Sequence, residues 1–263
     1  MRRTLKLAGD LLKFWVSLLL FAALALIWSV IAIPAYIVLP RRLGARVGRL
    51  GYCGLIGLYI LWLGLVNAYR VDLRDLHALK SAGAVVLTPN HPSMIDAVLV
   101  LSVHPHIVCV MKSKIMNNVL LGSGARLARY IRNQPPRRMV LDAVAELQRG
   151  ESLLLFPEGT RTTKPPVNTF NTSAGLIAKR ARVAVQTLLV ETNSPYLSKG
   201  WSPFRRPAFP ITFRIRLGKR FDPPEDVRAF DAALEAYFRS ELGNAAQNDW
   251  LHARFADRPG CDH

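Results

Sequence analysis

Residues 84–96 read Ala-Val-Val-Leu-Thr-Pro-Asn-His-Pro-Ser-Met-Ile-Asp, and the order of residue types in this stretch indicates the architecture. The run Ala84–Thr88 is apolar and rich in β-branched residues, which is typical of a buried strand, and Pro89-Asn90 ends it. A helical pattern follows from Asp96 to Val103. His91 is therefore predicted to lie in a turn between a buried strand and a helix.

The chain after Tyr69 continues this alternation. Further strands are predicted at His106–Met111, Ser152–Phe156, Val183–Val190 and Ile211–Leu217, and helices at Val140–Arg149, Thr172–Arg182 and Pro223–Leu242. Strands that alternate with helices favour a sheet covered by helices on its faces. We therefore predict an α/β fold, in which helices flank a mixed sheet, for residues 71–263.

Residues 1–70 have a different character. Phe14–Ile33 contains no formal charge, and Leu50–Val66 is a second apolar run interrupted by glycines. A membrane-spanning helix needs about 20 apolar residues, so both runs approach that length. Pro34 is expected to end or kink the first helix. The segment is predicted to form an N-terminal hydrophobic helical membrane hairpin, separate from the α/β catalytic domain at 71–263.

The charge distribution supports a membrane partner. The chain has 35 Lys and Arg against 18 Asp and Glu, a net charge of +17. Eight cations flank the first apolar run, in two clusters: Arg2, Arg3, Lys6 and Lys13 before it, and Arg41, Arg42, Arg46 and Arg49 after it. A hairpin that dips into one leaflet keeps both clusters on the cytoplasmic side, as the positive-inside tendency favours, whereas two full spans remain the alternative. The predicted location is the cytoplasmic face of the cell membrane.

Other partners and folds are disfavoured. The sequence carries no zinc finger, basic zipper or RNA-binding aromatic signature, so no nucleic-acid partner is expected. Three cysteines, Cys53, Cys109 and Cys261, lie far apart and indicate neither a disulfide framework nor a metal knuckle. His, Asp and Glu show no metal-ligand spacing, so no metal is expected.

His91 and Asp96 are candidates for general-base catalysis. Two residues five apart on one continuous helix do not face each other, but a histidine in the preceding turn can meet an aspartate in the first helical turn. The carboxylate would fix the tautomer of the imidazole and leave its other nitrogen as a base. Because the sequence has no Gly-x-Ser-x-Gly nucleophile motif, the pair favours direct attack by a substrate hydroxyl on an activated carbonyl.

A second candidate motif is Phe156-Pro157-Glu158-Gly159-Thr160-Arg161, at the end of a predicted strand. Gly159 permits a tight turn. Arg161 offers a planar set of donors for a phosphate, and Glu158 could orient the Arg161 guanidinium. Sites in α/β folds form at the ends of strands. The two motifs are therefore expected to contribute to one site.

Together the motifs resemble the glycerolipid acyltransferases, the 1-acylglycerol-3-phosphate O-acyltransferase family, over about residues 84–221. Residues 90–96 match its His-x4-Asp motif and residues 156–161 its Phe-Pro-Glu-Gly-Thr-Arg motif. The resemblance implies an O-acyltransferase of phospholipid biosynthesis, in which acyl-CoA or acyl carrier protein donates a fatty acyl group to a lysolipid hydroxyl without a cofactor. It implies His91 as base and Asp96 as its partner. Glu158, Gly159, Thr160 and Arg161 would bind the acceptor, together with Arg132 near the family's middle motif.

The acceptor is left open at this point. Ser173 and Thr187 stand where the family usually has glycine and proline. The expected acceptor is 1-acylglycerol-3-phosphate or a related lysophospholipid. The alternatives are a glycolipid or other non-glycerolipid acceptor, or a membrane scaffold that has lost catalysis.

Overall fold

Seven strands form one sheet in the computed structural model, which describes residues 2–243. Residues 244–263, which include Cys261 and the end of the predicted catalytic domain, lie outside the described residues. The strands are β1 (Tyr69–Asp72), β2 (Val86–Pro89), β3 (Ile107–Met111), β4 (Ile131–Arg132), β5 (Ser152–Leu154), β6 (Val185–Thr192) and β7 (Ile211–Phe221). The helices are α1 (Arg2–Val38), α2 (Arg41–Leu65), α3 (Ile95–Leu101), α4 (Ser113–Met116), α5 (Val119–Leu127), α6 (Pro136–Gln148), α7 (Ser173–Ala181) and α8 (Val227–Gly243), with a 3-10 helix at Arg74–Ser81.

The sheet is mixed, which confirms the predicted fold class. Its strand order is β1-β7-β6-β2-β5-β3-β4, and all neighbouring strands are parallel except the antiparallel pair β6 and β7. The central strand β2 is buried along its whole length, as a strand covered on both faces must be. Because β2, β3 and β5 run in the same direction, the loops that follow them meet at one edge of the sheet. This edge carries the site.

The two N-terminal helices form a hairpin whose bounds differ from the predicted ones. The helix α1 continues through Pro34 to Val38, and α2 begins at Arg41, nine residues before the predicted run. Ala32 and Ala35, on either side of Pro34, pack in a small core with Leu127 of α5. Packing on both sides of the proline keeps the helix continuous where local propensity would end it.

One side of α1 lies against the rest of the chain over most of its length. Asp10 pairs with Arg206, the Ser29 hydroxyl contacts that of Ser123 at 2.9 Å, and the Arg129 guanidinium lies over the Tyr36 ring. The opposite side is an exposed apolar stripe that contains Leu12, Leu19, Val30 and Ile37. The hairpin is therefore packed along the α/β region with one apolar face uncovered.

Arg49 joins the hairpin to the α/β region through a buried ion pair. Its guanidinium lies 3.0 Å from Glu146 Oε2 and 2.7 Å from Glu151 Oε1, and its Nε donates to the Ala128 carbonyl. The sequence pattern placed Arg49 among the cations of the second flanking cluster. Because Arg49 is buried, the exposed cations of that cluster are Arg41, Arg42 and Arg46.

Close approach of α2 to the backbone after α5 requires glycine at position 48, which predicts a large effect of substitution there. A Cβ at this position would lie 2.4 Å from the Ala128 nitrogen and 2.7 Å from the Leu127 carbonyl carbon. Neither atom can rotate away. We expect Gly48→Ala to lower the free energy of unfolding by about 1–3 kcal/mol, as measured by thermal unfolding in detergent.

Gly54→Ala is the matched control for this prediction. Position 54 is in the same helix, and a Cβ there would meet no atom within 4 Å. Alanine in a helix interior is favoured over glycine by roughly 0.5–1 kcal/mol, so this variant should unfold at the same or a higher temperature. Equal melting temperatures for the two variants would contradict the close packing of α2.

Candidate active site

His91 and Asp96 meet directly at the carboxyl end of β2. His91 lies in the turn after the strand, and Asp96 lies in the first turn of α3, which begins at Ile95, close to the predicted start at Asp96. His91 Nδ1 is 3.2 Å from Asp96 Oδ2, and the backbone N–H of Ser93 donates to the same oxygen at 2.8 Å. The turn therefore brings together two side chains that a longer helix would separate.

The surroundings of this pair define the orientation of the imidazole. Asp96 is fully buried, whereas the His91 side chain is 15% exposed. The His91 ring stacks on Phe156 with centroids 3.9 Å apart. When Nδ1 carries the proton and forms the hydrogen bond to Asp96, Nε2 retains its lone pair. The geometry therefore suits a general base whose other nitrogen is fixed by a carboxylate.

Glu158 connects the two sequence motifs, although not in the expected way. Its Oε1 accepts the backbone N–H of His91 at 2.9 Å and the Thr162 hydroxyl at 2.8 Å, and its Oε2 accepts the backbone N–H of Asn168. Burial raises the pKa of the Glu158 carboxyl, and these hydrogen bonds oppose the shift. The Glu158 carboxylate therefore supports the turn that carries His91, whereas the Arg161 guanidinium donates to backbone carbonyls elsewhere.

Arg161 is oriented by the loop that follows β6. Its Nη1 donates to the carbonyls of Leu197 at 2.9 Å and Ser198 at 3.0 Å. The same loop contacts the first motif, because the Leu197 carbonyl accepts the Met94 N–H and the Tyr196 carbonyl accepts the Ser93 hydroxyl. Leu197 has a φ of 54°, a left-handed conformation uncommon for a non-glycine residue. Tertiary hydrogen bonds across the site hold it there.

A family model described as Acyltransferase matches residues 70–191 of this chain, a region that contains both motifs. Residues 70–191 are therefore similar to the acyltransferase family. Among curated proteins, the chain is 23% identical over 209 residues to the 1-acyl-sn-glycerol-3-phosphate acyltransferase of Pseudomonas aeruginosa. This alignment covers 76% of the chain and 77% of the relative.

A solved structure shows the same fold as this chain. The crystal structure of the 1-acyl-sn-glycerophosphate (LPA) acyltransferase PlsC from Thermotoga maritima aligns with 99% of this chain and 100% of its own, with a TM-score of 0.62 and 17% identity. The similarity covers the N-terminal helices as well as the sheet. The predicted α/β architecture with a helical hairpin is confirmed.

Two lysines that the sequence motifs did not indicate lie near Arg161. Lys112 follows β3 at the same edge of the sheet as His91, and Lys199 lies in the loop that holds Arg161. Partial desolvation, and then the positive charges of Arg161 and Lys199, lower the pKa of the Lys112 ammonium. Such mutual repulsion favours an anion between the cations. The position of Lys112 directly after a predicted strand was the signal available in the sequence.

The remaining predicted site residues occupy different places. Gly159 has a φ of 65° and allows the tight turn expected there, and Thr160 is half-buried in the same turn. Arg132 is exposed at the end of the edge strand β4, where its Nη1 donates to Asn117 Oδ1 at 2.7 Å. The structure therefore brings His91, Asp96 and Glu158 into direct contact, whereas Arg132 contacts a neighbouring loop.

Proposed function

We propose that this acyltransferase moves a fatty acyl group from acyl-CoA or acyl carrier protein to the hydroxyl of 1-acylglycerol-3-phosphate or a related lysophospholipid. The observation that carries the proposal is the direct contact between His91 Nδ1 and Asp96 Oδ2. Similarity to the Pseudomonas and Thermotoga proteins, both named as acyltransferases of a 1-acyl-glycerophosphate, supports a glycerolipid acceptor. The proposal requires no cofactor, because the donor thioester already supplies an activated carbonyl.

In the proposed mechanism, His91 Nε2 removes the proton of the acceptor hydroxyl while its oxygen attacks the thioester carbonyl. An ester bond forms and the carbon–sulfur bond breaks. The departing thiolate then takes the proton from the imidazolium, so that His91 returns to its starting state. Asp96 stabilises the transient positive charge on the ring. Glu158 acts as a positioning residue, since it contacts the His91 backbone rather than its ring.

The acceptor phosphate would bind between Lys112 and Arg161. Both cations lie at the sheet edge that carries His91. When no anion is bound, the positive charges of Arg161 and Lys199 repel the Lys112 ammonium. A phosphate would offset that repulsion, and the planar guanidinium of Arg161 suits phosphate oxygens. The exposed position of Arg132 supports a peripheral role for it, at the entrance rather than at the reacting atoms.

The hairpin would lie in the surface of the bilayer. Within residues 2–243, two helices are long and apolar enough to cross a membrane. However, α1 contacts the α/β region from Asp10 to Tyr36, a distance of about 40 Å along the helix, which exceeds the roughly 30 Å of a hydrocarbon core. A helix that crossed the bilayer could not keep these contacts. The uncovered apolar stripe of α1 therefore favours an interfacial position over two full spans.

An acyl-transfer assay tests the proposed function. Purified full-length protein is incubated with radiolabelled acyl-CoA or acyl carrier protein and a panel that includes 1-acylglycerol-3-phosphate, other lysophospholipids and a monoacylglycerol. We expect a labelled diacyl product, formed fastest with the phosphate-bearing acceptors. No product with any acceptor would contradict the proposal and favour the scaffold alternative.

Removing the Lys112 charge should weaken binding of the acceptor phosphate selectively. A hydrogen bond to a charged group contributes about 1.5–3 kcal/mol, so Lys112→Ala should raise KM for 1-acylglycerol-3-phosphate by about tenfold or more. Steady-state kinetics with a monoacylglycerol should show little change. Lys114→Ala, which removes an exposed cation two residues away, is the control. An equal loss with both acceptors would contradict the phosphate site.

A further inference from the structure

The connection between β6 and β7 carries a surface that the reaction does not use. Residues 193–210 contain no helix or strand. The inner part of this connection, at Tyr196, Leu197 and Ser198, holds the two motifs through its carbonyls. The outer part, residues 199–206, extends to α1, and we refer to it as the 199–206 loop.

The 199–206 loop exposes aromatic and cationic side chains together. Phe204 is 68% exposed, which is unusual for a large apolar residue on a water-facing loop. The Arg205 guanidinium lies 4.6 Å from the centroid of the Trp201 ring, and the Trp201 indole N–H donates to the Arg205 carbonyl at 3.0 Å. The loop is therefore ordered by its own contacts and still presents an aromatic ring and a cation to its surroundings.

Two contacts fix this loop to α1. The Phe204 ring stacks on Trp15 with centroids 6.4 Å apart, and Arg206 Nη1 lies 3.4 Å from Asp10 Oδ2. Asp10 is the only acidic residue among the first 70. Trp15 is itself partly exposed and lies near Leu12 of the apolar stripe. The loop tip and the first half of α1 consequently form one continuous surface.

We propose that the 199–206 loop is a second membrane contact, which binds the headgroup region of an anionic phospholipid leaflet beside α1. Tryptophan and phenylalanine suit the boundary between headgroups and acyl chains, and each cation near an anionic surface adds attraction. Continuity with the apolar stripe of α1 favours a lipid surface over a soluble acidic protein. The proposal rests on the proposed function only for the interfacial position of α1.

This contact would place the site at the level of the headgroups. The carbonyls that orient Arg161 belong to Leu197 and Ser198, one to two residues before the loop. Docking of the loop would therefore hold the phosphate-facing side of the site at the depth where a lysolipid presents its own phosphate. The acceptor would reach His91 with its acyl chain still in the leaflet.

Depth-dependent fluorescence quenching tests the contact directly. The full-length protein and Trp201→Phe are reconstituted into vesicles of phosphatidylcholine with about 30 mol % phosphatidylglycerol, with and without lipids brominated near the headgroup. Subtracting the emission of the Trp201→Phe variant from that of the unsubstituted protein gives the emission of Trp201. We expect brominated lipids to quench it and aqueous acrylamide to leave it largely unquenched. Quenching by acrylamide alone would overturn the proposal.

A kinetic comparison provides the second measurement. The double variant Phe204→Ser/Arg205→Gln should lose about fivefold or more in turnover on the anionic vesicles, the effect of roughly one surface cation, yet stay near wild type in neutral detergent micelles. Leu141→Ser/Arg180→Gln, which alters an exposed leucine and an exposed arginine elsewhere, is the matched control. An equal loss in micelles would indicate docking of a soluble donor and overturn the proposal. If the wild type forms no product, the proposed function fails, but the quenching result still tests the loop.

Discussion

Replacing His91 with alanine should lower kcat/KM for acyl transfer by about 10²-fold to 10⁴-fold, the range that a general base contributes. The substitution removes Nε2, which is proposed to take the proton of the acceptor hydroxyl. The backbone of residue 91 keeps its hydrogen bonds, because its N–H donates to Glu158 and its carbonyl accepts the Thr162 N–H. The fold should therefore survive. Initial rates with saturating acyl donor measure the loss.

The control for this prediction is His77→Ala. His77 is exposed on the 3-10 helix and contacts no residue of the proposed site. Its variant should retain wild-type rates, and both variants should show the same circular dichroism spectrum. Normal turnover of His91→Ala would remove the general-base mechanism. If His91→Ala lost the circular dichroism spectrum of the folded protein, the rate would be measured for His91→Gln, which keeps a polar side chain of similar length.

The second large effect is expected for Asp96→Asn. Asp96 Oδ2 accepts both the Ser93 N–H and the proton on His91 Nδ1, and an amide cannot replace the negative charge that stabilises the imidazolium. We expect kcat to fall by about 10²-fold to 10⁴-fold. The pH dependence of kcat should also change, because the imidazolium loses the carboxylate beside it. Rate measurements across pH provide this readout.

Asp142→Asn is the matched control for Asp96→Asn. Asp142 is an exposed carboxylate on α6 that pairs with Arg138, so its neutralisation should change neither kcat nor the pH profile. An Asp96→Asn enzyme with reduced kcat but an unshifted pH profile would indicate a structural role for this carboxylate. Wild-type kcat for that variant would contradict the proposed pair altogether.

Local sequence predicted most of the sheet and the contact between His91 and Asp96. Strand and helix periodicity depend on residues a few positions apart, so the predicted strands near residues 86, 107, 152, 185 and 211 all occur. The helix α5 was not predicted, because its apolar residues are interrupted by Gly122 and Gly124. Gly124 fits against the Trp28 indole, where a Cβ would lie 2.1 Å from Nε1. Its place in the fold depends on a contact almost 100 residues away.

The site likewise combines one contact that the local sequence predicts with another that it does not. The five-residue separation of His91 and Asp96, with a proline in the turn between them, was sufficient to predict that they meet. Nothing in the local pattern indicated that Glu158 would contact the backbone of His91, since 67 residues separate them. That contact exists because β2 and β5 are parallel neighbours whose ends lie side by side.

The sequence by itself determined the class of fold, the apolar character of the first 65 residues and the identity of the proposed catalytic pair, because each depends on residue types at short, fixed spacings. Only the tertiary structure decided that Arg161 is oriented by the Leu197 and Ser198 carbonyls, that Lys112 is its cationic neighbour and that Arg49 is buried. These contacts form where parallel strands end together and helices cross. They join segments that are distant in sequence and carry no local periodicity.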